Sequence, residues 1–321
     1  MLPPQLVASV RWGWRRQWKL LMAAGLGPAD TQGNYQRAPG RIHSEYMPLP
    51  EGLDRRSQEE RPILIIARSC PWAHRAWLMV RLRGLEKSLE LLIAEADAKG
   101  GRWCLSPPWR GCHTLAALYQ LARETSMFRA TVPLLIDPLP APQILSNESA
   151  LMIELLNLWP ASETAPDLAP HNLKTQIQSW HLLLQSAVND GVYRCGFARS
   201  QAAYNTAEST LFAALDIVEA SLADYGPWLC GDQLTLADVR LFPTLIRWEM
   251  IYAPLFGCSR KPLWCFPHIL NWRHRFYNLL GVTETCDAEA WRRDYFGALF
   301  PLNPSGIIPG GPDLGVLTGN C

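Results

Sequence analysis

Pro62-Ile-Leu-Ile-Ile-Ala-Arg-Ser-Cys-Pro-Trp-Ala-His-Arg75 changes its period half-way along. Ile63 to Ala67 is a continuous apolar run rich in β-branched residues, the composition of a strand buried on both faces. From Pro71 onward Ala76, Trp77, Met79, Val80 and Leu82 follow helical spacing, and Gly84 suits the residue that ends a helix. Cys70 stands at the junction. Proline is favoured in a first helical turn, so Cys70 falls at or beside the N-cap, facing unpaired N–H groups and the positive end of the helix dipole. Both favour thiolate over thiol, and Arg68, His74 and Arg75 add positive charge nearby. An average cysteine is a small buried hydrophobe. Cys-Pro at a strand-to-helix junction reverses that expectation and makes Cys70 the candidate nucleophile.

Outward from this segment, Leu89 to Ala94 reads as a second strand and completes a βαβ unit. Residues 99–111, with Trp103, Pro107, Pro108 and Trp109, read as loop. Thr114 to Glu124 reads as a helix, Val132 to Asp137 as a strand opening on proline, and Gln143 to Leu145 as a short strand. A helix capped by Ser146 or Asn147 then runs to Leu158, with Glu148 in its first turn. The order β-α-β-α-β-β-α is that of a thioredoxin-like domain. After Pro160 strand signals stop, and helices are expected over Leu173–Val188, Ala202–Leu222, Leu236–Ile251 and Pro267–Leu279, a second and all-helical core. Thr235 and Asp238 form a capping box. The expected organisation is an extension over 1–60, a thioredoxin-like domain over 61–159, a helical domain over 160–300 and a tail over 301–321. Residues 28–61 read as an extended arm. Leu6 to Ala24 admits two readings, a basic amphipathic helix on a membrane surface or a helix packed on its own protein, and the second is expected.

The chain of 321 residues has room for two cores, and its net charge of +1 gives no electrostatic reason to expect nucleic acid as a partner. No run approaches the roughly 18 apolar residues of a membrane span. Arg11, Arg15, Arg16 and Lys19 interrupt any signal-peptide core. The 9 cysteines are odd in number, form no C-x-x-C pair and lack zinc-finger spacing with His, so thiols in a reducing, cytoplasmic compartment and no metal are expected. Ala73 stands where a dithiol oxidoreductase carries its resolving cysteine. A lone thiolate needs an outside thiol to finish a redox cycle, and glutathione is the abundant candidate.

Ser69-Cys-Pro-Trp-Ala-His-Arg75, followed by Gly84-Leu-Glu86, resembles the active-site segment of the glutathionyl-hydroquinone reductases, the Xi class of glutathione transferases. The likeness continues in order through Gly101-Arg-Trp103, Leu118-Tyr119, Arg129-Ala-Thr-Val-Pro-Leu-Leu-Ile-Asp137 and Ser146-Asn-Glu-Ser149. It goes on through Val192-Tyr-Arg-Cys-Gly-Phe-Ala198, Asp238-Val-Arg-Leu-Phe-Pro-Thr-Leu-Ile-Arg247 and Asn303-Pro-Ser-Gly-Ile-Ile-Pro309. It implies a thioredoxin-like domain followed by an all-helical transferase domain, glutathione as co-substrate, small aromatic or quinone-derived substrates, and a homodimer.

The same resemblance implies roles. Cys70 would be the nucleophile. Val132, before a cis Pro133, would pair its backbone with the cysteinyl part of glutathione. Glu148 and Ser149 would hold the γ-glutamyl end, a carboxylate for the ammonium and a hydroxyl with helix N-terminal amides for the carboxylate. Trp103 and Arg129 would line the glycine end, and Tyr193 and Tyr295 would meet a phenolic substrate from the helical domain. Plainer readings stand beside these: Glu148 as a helix-dipole residue, Trp103 and Tyr295 as packing, and His74 as a cap or a packed side chain rather than a catalytic group. The chain departs from the family at Ile136, where a Trp is usual, and at Tyr295-Phe296, where a Tyr-Tyr pair is usual. The implied reaction removes glutathione from glutathionyl-hydroquinones through a mixed disulfide on Cys70. The alternatives are reduction of dehydroascorbate or mixed disulfides by the same thiolate, or a transferase-like module that binds without catalysis.

Overall fold

The computed structural model describes residues 2–25, 27–37, 49–53, 55–97, 101–122, 129–161 and 163–319. After a helix α1 (Pro4–Gly25), the chain forms β1 (Ile63–Ile66), α2 (Pro71–Arg83), β2 (Glu90–Asp97), β3 (Arg102–Trp109), β4 (Cys112–Thr114), α3 (Leu115–Leu121), β5 (Leu134–Asp137), β6 (Gln143–Ser146) and α4 (Ser149–Asn157). One mixed sheet has the order β4-β3-β2-β1-β5-β6. β1 pairs parallel with β2 and antiparallel with β5, and all four of its side chains are buried, as its unbroken apolar run requires. Gly84 caps α2 at φ 64°, in the left-handed region glycine enters without a steric cost.

Two expectations for this half are corrected. Residues 102–109, expected as loop, form a strand, and 112–114 form a second: β3 pairs antiparallel with β2, Ala96 opposite Trp103. Pro107 and Pro108 hid it. They are accommodated because the β3–β4 register shifts between Cys104 and Trp109, where no ladder donor is required. The cap of α4 is Glu148, whose carboxylate accepts from the Ala150 amide at 3.2 Å, while Ser146 Oγ accepts from the Glu148 amide one step earlier. The third helix starts at Leu115 with Thr114 Oγ1 accepting from the Ala117 amide. Its expected end at Glu124 lies outside the described residues.

The second half is helical: α5 (Lys174–Leu183), α6 (Gly191–Gly196), α7 (Gln201–Tyr225), α8 (Leu236–Leu245), α9 (Ala253–Phe256), α10 (Pro267–Tyr277), α11 (Ala288–Ala298) and α12 (Leu314–Thr318). Two of the expected helices break into wide π-type turns, Leu184–Asn189 after α5 and Trp248–Tyr252 after α8, and such bulges re-aim side chains at functional sites. The capping box is present. Asp238 also accepts from the Leu229 amide at 3.0 Å and from Trp272 Nε1 at 2.9 Å, tying α8 to α10.

The extension is no free linker. Arg199 donates to the carbonyls of Met22 and Gly27, its own amide donates to Gly33 O at 3.0 Å, and Tyr35 meets Phe197 edge-on at 5.1 Å. The expectation that Leu6–Ala24 packs on its own protein holds only for the C-terminal part of the helix, where Met22 is in the core and Trp18 packs against it. Among the described side chains of α1 only Met22 is buried, because the body offers apolar surface to the C-terminal end of the helix alone.

Candidate active site

Cys70 is the N-cap of α2, in extended conformation, with Pro71 at the first helical position. The turn before it is gripped by the helical half. The Arg68 carbonyl accepts from Trp291 Nε1 at 3.0 Å and from Arg247 Nη2 at 3.3 Å, and the Arg247 guanidinium lies 4.0 Å over the Trp291 ring. Arg247 Nη1 also donates to His74 Nδ1 at 2.8 Å. A guanidinium can only donate, so His74 Nδ1 accepts and its Nε2–H donates to Thr285 Oγ1 at 2.7 Å, whose own hydroxyl donates to the Val282 carbonyl at 2.6 Å. Burial, and then Arg247, hold His74 well below the ordinary imidazole range. His74 is a neutral strut.

The Cys70 thiol donates to the Val132 carbonyl at 3.7 Å, across the sheet end where Val132-Pro133 is cis. The expectation of a thiolate stabilised at neutral pH is corrected in sign. Burial pushes the thiol up, and it outweighs the amides of Ala73 and Trp72 and the charges of Arg37 and Arg247, which all favour the thiolate. The helix end acts as expected but loses to desolvation in the free protein. Cys70 nevertheless keeps part of its surface open.

Aromatic rings close the other side. The Trp72 ring carries Arg37 at 3.4 Å and Arg75 at 4.6 Å, and stands 6.0 Å from Tyr193. Arg37 also approaches Asp190 at 3.6 Å. The hydroxyl of Tyr193 lies 2.6 Å from that of Tyr295, which lies 3.3 Å from that of Tyr252. Gly196 permits this closure: a methyl there would meet the Phe256 ring at 2.5 Å, and Phe256 packs on Tyr193, Tyr252 and Tyr295. Burial raises all three phenols, and Cys70 is near enough to Tyr193 and Tyr252 to add to that rise. At neutral pH the trio is therefore a set of hydroxyl donors beside the thiol.

Val132, Glu148 and Ser149 come from the chain ends beside β1, and Glu148 is coupled electrostatically to the buried Arg75 of α2. Ser149 is buried at the head of α4. Trp103 is half-buried on β3, on the part of the hairpin that extends past β1 toward Cys70, without touching the other candidates through a hydrogen bond or ring contact among the described residues. Arg129 is exposed and lies near enough to Tyr35 of the extension to oppose, weakly, the rise that burial gives that phenol. The structure thus brings Cys70, Val132, Tyr193 and Tyr295 together, while Trp103 and Arg129 make no hydrogen bond or ring contact with them among the described residues. The sequence reading missed Tyr252, Trp72, Arg37 and Arg247. Tyr252 was hidden just past the end of the helix expected over Leu236–Ile251, and Arg37 inside a Gly- and Pro-rich stretch with no periodicity.

A 33% identical relative, the glutathionyl-hydroquinone reductase PcpF of Sphingobium chlorophenolicum, aligns over 294 residues, 88% of this chain and 93% of its own. The chain belongs to the glutathionyl-hydroquinone reductases, the Xi class of glutathione transferases. Residues 201–284 match the family model described as the glutathione S-transferase C-terminal domain. The Xi glutathione transferase of Phanerochaete chrysosporium superposes with a TM-score of 0.81 at 28% identity, over 89% of this chain and 95% of that one. The glutathione-bound structure of YqjG from Escherichia coli superposes with a TM-score of 0.74 at 31% identity, over 88% and 96%. The fold is therefore that of a glutathione transferase, as expected, and the chain is an enzyme of that superfamily. No described helix is long and apolar enough to cross a membrane.

Proposed function

We propose that this reductase removes glutathione from glutathionyl-hydroquinones, with Cys70 as nucleophile and the Tyr193–Tyr295 pair on the leaving aromatic. The observation that carries the reading is the hydroxyl trio of Tyr193, Tyr295 and Tyr252 beside the Cys70 thiol. Reduction of an aliphatic disulfide needs no such donors, because its thiolate leaving group is already stable.

In the first step the Cys70 thiol gives up its proton and Sγ attacks the glutathionyl sulfur. An S–S bond forms, the C–S bond breaks, and its electron pair passes to the ring, which takes up a proton and leaves as the hydroquinone. Cys70 is oxidised to a mixed disulfide with glutathione and the aromatic is reduced. A second glutathione attacks that disulfide, giving oxidised glutathione and the free Cys70. A phenol hydrogen-bonded to the hydroquinone oxygen stabilises the charge that moves onto the ring. Glutathione would be held by the Val132 backbone, by Glu148 at the ammonium and by Ser149 and the first amides of α4 at the carboxylate, with Trp103 and Arg129 at the glycine end. YqjG, whose glutathione-bound structure shares this fold, supports glutathione as the ligand. The test is single-turnover mass spectrometry with a glutathionyl-hydroquinone and no free glutathione. A mass increase of one glutathionyl group on Cys70, with release of hydroquinone, is expected. Release of hydroquinone from an unmodified protein would overturn the mechanism.

A further inference from the structure

α1 meets the core only toward its C-terminal end, through buried Met22 and half-buried Trp18. Leu6, Val10, Trp12, Trp14, Leu20 and Leu21 are between 38% and 65% exposed, an unusual fraction for large apolar side chains on one helix. Leu6, Val10 and Trp14 follow at i, i+4 and i+8, and Leu21 completes the row. Arg11, Arg15 and Lys19 form a second row with the same spacing, starting five residues after Leu6 and so about 140° around the helix. Arg16 adds a fourth cation, and α1 holds no acidic residue. Among the described residues no carboxylate pairs with any of the four. Like charges at i, i+4 repel, so the cationic row is unfavourable in water and is relieved only by external negative charge. The helix is fixed at one end, by buried Met22 and by Arg199 on the Met22 and Gly27 carbonyls.

We infer that α1 docks the protein on an anionic lipid surface. The Leu6–Val10–Trp14–Leu21 row enters the boundary between headgroups and acyl chains, Trp at the depth it prefers, and the cations meet lipid phosphates. Charge selects this occupant. A second copy of the same helix would bring four more positive charges against these four, whereas an anionic bilayer supplies both the apolar layer and the countercharge.

Full-chain protein is floated with vesicles of phosphatidylcholine alone and of phosphatidylcholine mixed with phosphatidylglycerol, at low and high salt. Partition onto the mixed vesicles should be at least roughly tenfold stronger and should weaken with salt. The double variant Val10→Glu/Trp14→Glu and the triple variant Arg15→Gln/Arg16→Gln/Lys19→Gln should each lose it, with reductase turnover on a soluble substrate unchanged, since these side chains lie in solvent and outside the site. Equal or absent partition on the two vesicle types would overturn the inference. So would a concentration-dependent dimer in light scattering that both variants abolish, which would name a second copy as the occupant.

Discussion

Replacing Tyr295 by Phe removes one oxygen from the middle of a three-hydroxyl chain, Tyr193–Tyr295–Tyr252, with separations of 2.6 and 3.3 Å. Three hydroxyls carry three hydrogens. The two internal contacts use two of them, so one hydrogen is left to donate outward, and the two end hydroxyls keep spare lone pairs. Without Tyr295 both internal contacts vanish, and the remaining phenols are no longer oriented by a shared partner. A hydrogen bond to a group developing negative charge is worth roughly 1.5–3 kcal/mol, which converts to a loss of roughly 10- to 150-fold in turnover of a glutathionyl-hydroquinone. A small aliphatic mixed disulfide should lose almost nothing, because its leaving thiolate needs no phenol. Steady-state rates of Tyr295→Phe on the two substrates, with far-ultraviolet circular dichroism to confirm the fold, make the comparison. Equal losses on both substrates, or no loss on either, would refute the assignment of the trio to the aromatic leaving group.

Cys70→Ala should abolish turnover on every substrate while leaving thermal unfolding nearly unchanged, a result read by any glutathione-consumption assay. Glu148→Gln keeps an acceptor for the Ala150 amide but loses the charge, so calorimetry on a Cys70→Ala background should show glutathione affinity falling about tenfold with little change in Tm. Glu148→Ala should add the loss of the helix cap, about 0.5–2 kcal/mol of stability. Because burial raises the Cys70 thiol, its alkylation by iodoacetamide should climb with pH to a midpoint above that of free cysteine. Arg37→Gln, removing a cation that favours the thiolate, should move that midpoint higher still, and a wild-type midpoint below neutral would show that the amides and cations outweigh burial after all. Asp238→Ala orphans donors from Leu229, Thr235 and Trp272 in the core and should cost about 3–5 kcal/mol in chemical denaturation, whereas an exposed carboxylate would cost almost nothing.

The junction at Cys70 was legible because the period changes there from an apolar run to a helical one, and the Cys-Pro pair marks the helix start without reference to anything distant. The capping box at Thr235 and Asp238 was legible for the same reason, since its partners are three residues apart. β3 was not, because Pro107 and Pro108 mimic a loop and only the irregular pairing with β4 explains their place in a strand. The same limit hid Tyr252 and Arg37. Tyr252 reaches Tyr295 only because a π-type turn follows α8, and Arg37 reaches Trp72 only because the extension is pinned to Arg199, Ser200 and Phe197. The sign of the Cys70 shift was also out of reach. A helix dipole can be read from local sequence, but the desolvation that opposes it depends on what the folded chain lays over the thiol.

That dependence runs through Arg247. Its guanidinium holds the Arg68 carbonyl in the turn before Cys70, sits over Trp291, and keeps its charge within electrostatic reach of Sγ. A cation so placed would be repelled by a protonated His74 beside it. The hydrogen-bond order prevents this, because Arg247 fills Nδ1, Thr285 takes the proton on Nε2, and the Thr285 proton is committed to Val282. Neutral His74 therefore lets one buried cation face both the reactive turn and the thiol without a competing charge. Arg247 of the helical half thus adds its charge at Cys70, after that of Arg37 from the extension, and substitutions at Arg247, Trp291 or Thr285 should reach Cys70 through the turn that precedes it.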